Sequence, residues 1–384
     1  MYRDVFRLEL DEVERKRIVG VKRILYISNY KKGLGGISAQ VDLLCKCINV
    51  ERIRGLEGKG NEGFRAEVFS TKGNPIKRMW LFLKLLFIAR RYDVLHIHGC
   101  SDWGMLPVVY GVIAGKIWRK RIIVTYHGGG AGDYFERHGA FARRWLRRAD
   151  KVIVLSGYLK KVFDKYEIPC LVIPNIVTLR EDIYQPKQGI APRFISIRHL
   201  TSLYRIDLVI RAFAQVLNKK YPDATLDILG QGDKREELEA LVKELENEGV
   251  RELGRKVRFV GQVPNEQIYD YLKANDIMLS APKIDNMPVS LLEAMNAGVL
   301  VISSNVGGVP YMIENGRTGL LFDCNQESGV RNQNSEVREL EEQMLWALEH
   351  QEESLRMIEA AHIEVQKYSW TEVRKQLLPL YECI

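Results

Sequence analysis

Two carboxylates in the segment DNMPVSLLEAMNA are the most specific chemical feature of the sequence. Asp285 and Glu293 stand eight residues apart, and Pro288 suits the first turn of a helix, so Asp285 should precede that helix. A buried carboxylate needs hydrogen-bond donors, and the two hydroxyls of a ribose can supply them. The free N–H groups of the first helical turn can bind sugar hydroxyls or phosphate. The alternative is an ordinary amphipathic helix with Glu293 in solvent, which the apolar neighbours of Glu293 disfavour.

Three histidines lie on or at the end of two predicted strands. His96 and His98 face the same side of one strand, because successive side chains alternate in direction. His127 ends a neighbouring strand, and Gly128, Gly129 and a third glycine follow it. The carboxyl ends of parallel strands line the ligand crevice of open α/β sheets. We expect a structural role for His96 and a functional role for His127. Metal binding is disfavoured, since no carboxylate lies at a suitable spacing.

A glycine-rich turn, Gly33-x-Gly35-Gly36, joins the first predicted strand to a helix. Consecutive glycines let a backbone approach a ligand closely, and the N-terminus of the following helix favours anionic groups. The spacing is not GxGxxG, which disfavours a nicotinamide cofactor, and no GK[ST] follows, as a P-loop would require. A plain strand–helix turn is the alternative interpretation.

Arg198 follows the predicted strand FISI directly, and Tyr204 and Arg205 come soon after it. Arginine is the side chain best suited to bind two phosphate oxygens at once. A strand-end position in the same crevice favours such a role over that of a solvent-exposed arginine. The glycine-punctuated segment 305–322 is interpreted as mostly architectural and close to the ligand.

Strands that alternate with helices must position these residues. The predicted strands are rich in valine and isoleucine and nearly continuous in hydrophobicity, as expected for parallel strands covered on both faces. They are placed at 23–30, 93–99, 121–128 and 151–156, and then at 194–200, 224–232, 256–263, 277–282 and 299–304. The polar stretch 176–193 interrupts this rhythm and is the best candidate for a linker. The pattern predicts two α/β domains in tandem with a cleft between them.

The length of the chain fits two domains, and the net charge differs between its two halves. A chain of 384 residues is long enough for about two domains. Hydrophobic residues make up 46% and charged residues 28%, which excludes a disordered or collagen-like chain. Residues 1–180 carry a net charge of +17 and the remainder −9, so the first half is expected to meet a polyanion, an anionic membrane or a phosphorylated ligand. The six scattered cysteines are interpreted as reduced thiols of a cytoplasmic protein.

One apolar segment leaves contact with a membrane open. MWLFLKLLFIA (79–89) is too short to span a bilayer and is flanked by lysine and arginine. It is interpreted either as a helix buried against the sheet or as one that lies on the inner face of an anionic membrane. The N-terminus is too charged for a signal peptide. No RRM, KH, helix-turn-helix or zinc-finger signature predicts nucleic-acid binding.

Taken together, these motifs resemble the retaining glycosyltransferases with two Rossmann-like domains, the GT-B fold, in the group called family 4. The resemblance covers about residues 22–384 and is carried by DNMPVSLLEAMNAGVLVISSNVGGVPYMIENGRTGLLF, by the GLGG and TYHGG turns and by the closing YSW. It implies two doubly wound parallel sheets that face a central cleft. The expected division is an acceptor-side domain of residues 1–178 and a donor domain of residues 190–364, with 365–384 crossing back to the first.

The resemblance also implies a donor site. Glu293 would hold the ribose hydroxyls of a UDP- or GDP-sugar, Asp285 would bind hydroxyls of the transferred sugar, and Arg198 would neutralise the diphosphate. The donor-binding residues implied are Gly35, Gly36, Arg198, Arg205, Asp285, Asn286, Met287, Val289 and Glu293. The catalytic groups implied are His127, Asp285 and Arg198, and neither a metal nor another cofactor is expected.

On the acceptor side, the resemblance implies His98, Gly128 and Gly129. The implied reaction moves a sugar to a glycan or lipid-linked acceptor in the synthesis of cell-surface polysaccharide or glycolipid. An epimerase or sugar phosphorylase of the same fold, or a non-catalytic scaffold, is the alternative. The sequence departs from the family at three positions: the first acid is aspartate, Arg205 stands near the place of a common lysine, and Tyr311 replaces a usual glutamate.

Overall fold

The computed structural model describes residues 21–31, 36–57, 63–180, 182–323 and 333–382. Within these ranges the chain forms two parallel sheets of six strands each, flanked by helices. The predicted fold class, two Rossmann-like α/β domains, is confirmed. Between the two sheets, from 173 to 192, the described residues form neither helix nor strand.

The first sheet has the strand order β2-β1-β3-β4-β5-β6. Its strands are β1 (Lys22–Ser28), β2 (Phe64–Ser70), β3 (Val94–Gly99), β4 (Arg121–Tyr126), β5 (Lys151–Val154) and β6 (Leu171–Val172). Its helices are α1 (Gly36–Glu57), α2 (Pro75–Ala89), α3 (Leu106–Ile117), α4 (Ala131–Leu146) and α5 (Gly157–Lys165). The sequence patterns did not predict β2, because this edge strand buries only Ala66 and Phe69 and therefore lacks a continuous apolar run.

The second sheet has the strand order β12-β11-β10-β7-β8-β9. Its strands are β7 (Arg193–Ile197), β8 (Thr225–Leu229), β9 (Val257–Gly261), β10 (Ile277–Ser280), β11 (Leu300–Ser304) and β12 (Leu320–Phe322). Its helices are α6 (Ile206–Lys219), α7 (Arg235–Asn247), α8 (Leu253–Lys256), α9 (Ile268–Ala274), α10 (Val289–Asn296), α11 (Gln333–Glu349) and α12 (Gln351–Glu364). Within the glycine-punctuated segment 305–322, Val309–Tyr311 form a 3-10 turn.

The last helices, α13 (Trp370–Leu377) and α14 (Pro379–Glu382), return to the first domain. Val373, Leu377 and Tyr381 pack into the apolar layer between the first sheet and α1. Tyr368 still packs in the core of the second domain, and its carbonyl accepts the N–H of Val177 at 3.0 Å. The chain therefore crosses back to the first domain, as the resemblance implied, but it does so after Tyr368 rather than at residue 365.

Tyr381 joins this returning segment to the first sheet through buried polar contacts. Its hydroxyl lies 2.7 Å from Nδ1 of His96 and 3.0 Å from the hydroxyl of Tyr26. The other ring nitrogen of His96 lies 2.7 Å from Oγ1 of Thr125. Both ring nitrogens of His96 are thus used inside the first domain, which agrees with the structural role predicted for it.

Replacing Tyr381 by phenylalanine should lower the free energy of unfolding by about 1–3 kcal/mol, because it leaves a buried nitrogen of His96 without its partner. Urea unfolding followed by circular dichroism measures the change. Tyr221→Phe is the matched control, since the hydroxyl of Tyr221 has no hydrogen-bond partner among the described residues. Equal stability of the two variants would contradict this account of the anchor.

Candidate functional site

The carboxyl ends of both sheets face one cavity of about 380 Å³ between the domains. Residues just beyond β4, β7, β8 and β9 line this cavity. Seven of the predicted site residues are among those that line it: Gly36, His127, Arg198, Asp285, Met287, Val289 and Glu293. Two domains that each place strand ends at the same opening can bind one ligand from both sides.

Glu293 projects into this cavity from α10, which begins at Val289 with Pro288 before it. Neighbouring Leu291 and Leu292 are buried in the core of the second domain and fix the orientation of the helix. Burial raises the pKa of the Glu293 carboxyl from 4.5 to about 7, and among the described residues no cation or donor offsets this effect. The carboxylate is therefore available to a ligand that supplies hydrogen-bond donors.

Arg198 is the first residue after β7, and only 7% of its side chain is exposed. Its Nε and Nη2 donate to Oγ of Ser280 at 3.2 and 2.8 Å, and its guanidinium lies 5.4 Å from the centre of the Tyr204 ring. Its Nη1 lies 3.1 Å from Oδ2 of Asp285. Oδ1 of Asp285 accepts the N–H of Asn286 at 2.8 Å. The positive group is thus fixed beside the cavity and is paired with the carboxylate predicted to bind sugar.

His127 and His98 form a neutral pair behind the cavity. Nε2 of His127 lies 2.8 Å from Nδ1 of His98. Burial lowers the pKa of His127 to about 4 and that of His98 well below its usual range, so neither ring is charged at pH 7.

The environment of His98 indicates where the protons of this pair lie. Nε2 of His98 is buried and has no partner in the described part of the chain. A buried N–H without an acceptor is rarer than an unpaired acceptor, so His98 should carry its proton on Nδ1 and donate it to Nε2 of His127. His127 then carries its proton on Nδ1, the nitrogen left for the cavity. His98 itself does not line the main cavity; it orients His127 from behind.

The side chain of Asn286 lies between the domains rather than in the cavity. Oγ of Ser156 donates to Oδ1 of Asn286 at 2.5 Å, and Nδ2 of Asn286 lies 3.4 Å from the carbonyl of His127. The side chain of Asn286 therefore joins the loop of the second domain to two strand ends of the first. If Asn286 contacts a sugar donor, as predicted, the contact must come from its backbone.

Two further contacts hold the same loop against the first domain. Nδ2 of Asn175 donates to the carbonyl of Met287 at 3.1 Å. A side chain at Gly129 would place its Cβ only 3.2 Å from the carbonyl carbon of Asp285. Gly129 thus permits the two domains to approach closely. Gly128 lies on the other side of the strand end, and a Cβ added at this position would be 3.1 Å from Oγ of Ser101.

Besides Asn286, one described residue that was predicted to bind the donor, Arg205, does not reach the cavity. Arg205 forms an ion pair with Glu336, and both side chains are largely buried. It does not line the cavity, so the structure does not support its predicted contact with the diphosphate. Gly35 lies outside the described residues, whereas Gly36 lines the cavity. Over the described ranges, no three histidine, cysteine or acidic side chains come close enough to hold a metal ion.

Tyr311, the third departure from the family pattern, lies at the domain interface. Its ring covers Gly157 so closely that a Cβ there would be 2.3 Å from Cε1 of Tyr311. Nζ of Lys161 lies 5.6 Å from the ring centre. This departure therefore concerns how the domains meet, since Tyr311 does not line the cavity.

The sequence patterns missed three polar residues that build the site: Ser156, Asn175 and Ser280. Each lies at or shortly after the carboxyl end of a parallel strand, β5, β6 or β10. A position at the end of a parallel strand is therefore the signal that these residues share with His127 and Arg198. Serine and asparagine are so common in such loops that their type alone does not distinguish them.

Two family models match the chain, one after the other. The model for glycosyltransferase family 4 matches residues 39–181, and that for glycosyl transferases group 1 matches residues 182–363. The described fold changes from the first sheet to the second within the segment where these matches meet.

Individual proteins are similar over different parts of the chain. N-acetyl-alpha-D-glucosaminyl L-malate synthase of Bacillus anthracis is 27% identical over 269 residues, which are 65% of this chain and 67% of that protein. An uncharacterized glycosyltransferase of Haemophilus influenzae is 30% identical over 183 residues, 46% of this chain and 48%, about half, of that protein. The structure of Anabaena HepE in complex with UDP and glucose has a TM-score of 0.71 and 19% identity, over 94% of this chain and 99% of that one.

Replacing Glu293 by glutamine should stabilise the unliganded protein at alkaline pH. Because the folded state raises the pKa of Glu293 from 4.5 to about 7, it binds an extra proton between these values, and the free energy of unfolding falls as pH rises. Glutamine does not titrate. The stability of Glu293→Gln relative to the wild type should therefore grow by about 2 kcal/mol between pH 5 and pH 8.5.

Urea unfolding across this pH range measures the difference. Glu266→Gln is the control, since Glu266 is exposed in the turn beside the cavity but does not line it. A stability difference between Glu293→Gln and the wild type that does not change with pH would mean that Glu293 is well solvated.

Proposed function

Because the chain belongs to the glycosyltransferases of group 1 and family 4, with the GT-B fold, we propose that it transfers a sugar from a nucleotide-diphosphate sugar to a glycan or lipid-linked acceptor. We propose that the anomeric configuration is retained, that no bound metal takes part and that the reaction serves polysaccharide or glycolipid synthesis at the cytoplasmic side of the membrane. UDP-sugars are the donors to test first, because HepE, which shares the fold, was crystallised with UDP and glucose.

One observation carries this proposal: the carboxylate of Glu293 lines the cavity without a partner among the described residues. The vicinal hydroxyls of a ribose would donate two hydrogen bonds to it and offset the cost of its burial. From that anchor the base would extend towards the ends of β8 and β9, where Gln231 and Val263 line the cavity. The diphosphate would extend the other way, towards Arg198.

Arg198 would stabilise the charge that develops on the leaving group. Cleavage of the bond between C1 of the sugar and the diphosphate puts negative charge on the diphosphate and positive character on C1. Ser280 and Tyr204 already orient the guanidinium, so little reorganisation is needed. Helix α10 adds the positive end of its dipole, because its N-cap residue Pro288 supplies no side-chain acceptor to the first N–H groups.

In the proposed step, the acceptor hydroxyl attacks C1 from the face that the diphosphate leaves. The bond from C1 to the diphosphate oxygen breaks with its electron pair, a bond from C1 to the acceptor oxygen forms, and the acceptor proton passes to the diphosphate. His127, as a neutral ring with its proton on Nδ1, would donate a hydrogen bond to the transferred sugar. Asp285 would accept one from a sugar hydroxyl.

Glu293→Ala should lower the affinity for the nucleotide donor about 100-fold, because two hydrogen bonds to a charged group are lost. Calorimetric titration with UDP, GDP and their sugars measures the affinity and selects the nucleotide. Glu266→Ala is the matched control at the same edge of the cavity. Unchanged donor affinity and transferase activity in Glu293→Ala would overturn the assignment. Incubation of the donor without acceptor separates the alternatives, since an epimerase would change the sugar and a transferase would not.

Asp285→Asn should separate binding from transfer. In the unliganded protein the Asp285 carboxylate pairs with Arg198, so its neutralisation should raise the affinity for free UDP severalfold. The rate of sugar transfer should fall by about 100-fold or more, because the acceptor for the sugar hydroxyl is weakened. Calorimetry and product formation measured on the same preparation give both quantities. A parallel fall of UDP affinity and turnover would contradict the competition between Asp285 and the diphosphate.

A further inference from the structure

Helix α2 presents an apolar side to solvent. Its buried residues are Leu85 and Ala89, which pack against the first sheet. The exposed apolar residues on the opposite side are Ile76, Met79, Trp80, Leu83 and Phe87, which we call the α2 stripe. Trp80 and Phe87 are 66% and 67% exposed. Residues spaced three to four positions apart lie on one side of a helix, so the stripe is continuous over about 20 Å.

Of the two interpretations of this segment, burial against the sheet accounts for only one side of the helix. Monomeric proteins rarely leave so many large apolar side chains together in water, and such a patch marks a surface that meets something else. None of the described residues covers the α2 stripe. Within the described ranges, no helix is long and apolar enough to cross a membrane.

Basic residues flank the α2 stripe. From 72 to 91 the sequence contains six lysine and arginine residues and no acidic residue. Lys77 and Lys84 are exposed on α2, two turns apart and therefore on the same edge of the stripe. Arg90 is exposed at the C-terminal end of the helix. An apolar stripe with a cationic edge complements a surface that has apolar chains below anionic groups.

A further exposed apolar side chain, Trp103, lies near both α2 and the cleft. Trp103, in the turn after β3, is 72% exposed, and the guanidinium of Arg78 on α2 lies 5.5 Å from the centre of its ring. Ser101 of the same loop lies next to Gly128, where a Cβ would be 3.1 Å from Oγ of Ser101. Gly128 follows His127 directly, and His127 lines the cavity. Trp103 thus stands close both to α2 and to the acceptor side of the candidate site.

We infer that the α2 stripe and Trp103 dock on an anionic lipid bilayer, with Lys77 and Lys84 against the headgroups. A second copy of this chain is a poorer occupant, because its segment 72–91 has no acidic residue that could pair with Lys77 and Lys84. The inference deepens the proposed function and rests on it in one respect. It names a membrane-embedded, lipid-linked acceptor, whose head would enter the cleft beside Gly128 while its chains stay in the bilayer.

The test is flotation of the full chain with phosphatidylcholine vesicles that contain or lack phosphatidylglycerol. The double variant Trp80→Glu/Phe87→Glu should lose at least roughly tenfold in affinity for the anionic vesicles, because two side chains can no longer enter the interface. The double variant Lys77→Ala/Lys84→Ala should lose about 30-fold on anionic vesicles and little on neutral ones. Ile363→Glu, at a 66% exposed position on α12 in the second domain, is the matched control and should bind as the wild type does.

Three results would overturn the inference. Wild-type vesicle binding by both double variants would show that the stripe is not the contact, and equal loss in Ile363→Glu would show that the effect is unspecific. Protection of Trp80 from a soluble quencher without lipid, measured against Trp80→Leu, would show that the stripe is already covered by this chain or by a second copy. UDP affinity and vesicle binding measured on the wild type keep the proposals apart. A wild type that binds UDP but not anionic vesicles overturns the membrane inference alone, and one that binds the vesicles but not UDP overturns the proposed function alone.

Discussion

The loop that carries Asp285 is packed closely between glycine residues of both domains, and the rest of the site depends on this constraint. Gly307 has a φ of +54°, and a Cβ there would lie 2.1 Å from the carbonyl oxygen of Asp285. A Cβ at Gly308 would lie 1.8 Å from that of Asn286, and the N–H of Gly308 donates to the carbonyl of Asp285 at 2.9 Å. Gly129 approaches the same loop from the other domain. Two glycine-rich motifs, far apart in the chain, thus pack against one loop, and the proposed donor site and the domain contact share that loop.

The electrostatics of the cavity suit a ligand with one anionic part and one neutral, hydroxyl-bearing part. Among the described residues that line the cavity, Arg198 is the one with a permanent positive charge. The pKa of about 7 for Glu293 means that this carboxyl is partly protonated near neutral pH and repels a nearby diphosphate less than a full charge would. The low pKa of His127 removes a second cation that would otherwise compete for the phosphate oxygens. The anion is thereby directed to one position.

The sequence predicted the features that a few neighbouring residues determine, such as strands and the start of a helix. The strand ends were placed within three residues of their observed positions and Pro288 marked the start of α10, and these put His127, Arg198 and Glu293 at one opening. Arg205 and Asn286 were assigned to the ligand, yet their partners lie 131 and 130 residues away, so only tertiary packing decides their orientation. The edge strand β2 was missed for a related reason, since its half-exposed pattern differs little from that of a loop. The sequence also could not predict that one side of α2 is exposed. A helix buried against the sheet and a helix that lies on a membrane require the same spacing of apolar residues.

The uneven charge of the chain now has a physical interpretation that its total cannot give. The half with a net charge of +17 contributes no permanent cation to the described lining of the cavity, whereas the half with −9 contributes Arg198. Among the described residues, part of the excess of the first half lies on an outer surface, where the exposed Lys77 and Lys84 border the α2 stripe. A few oriented groups select a nucleotide, whereas a broad excess of charge acts on an extended anionic surface. Under the proposed function and the membrane inference, these two tasks fall to different domains, so the net charge of the first domain would describe what its outer surface meets rather than what the cleft binds.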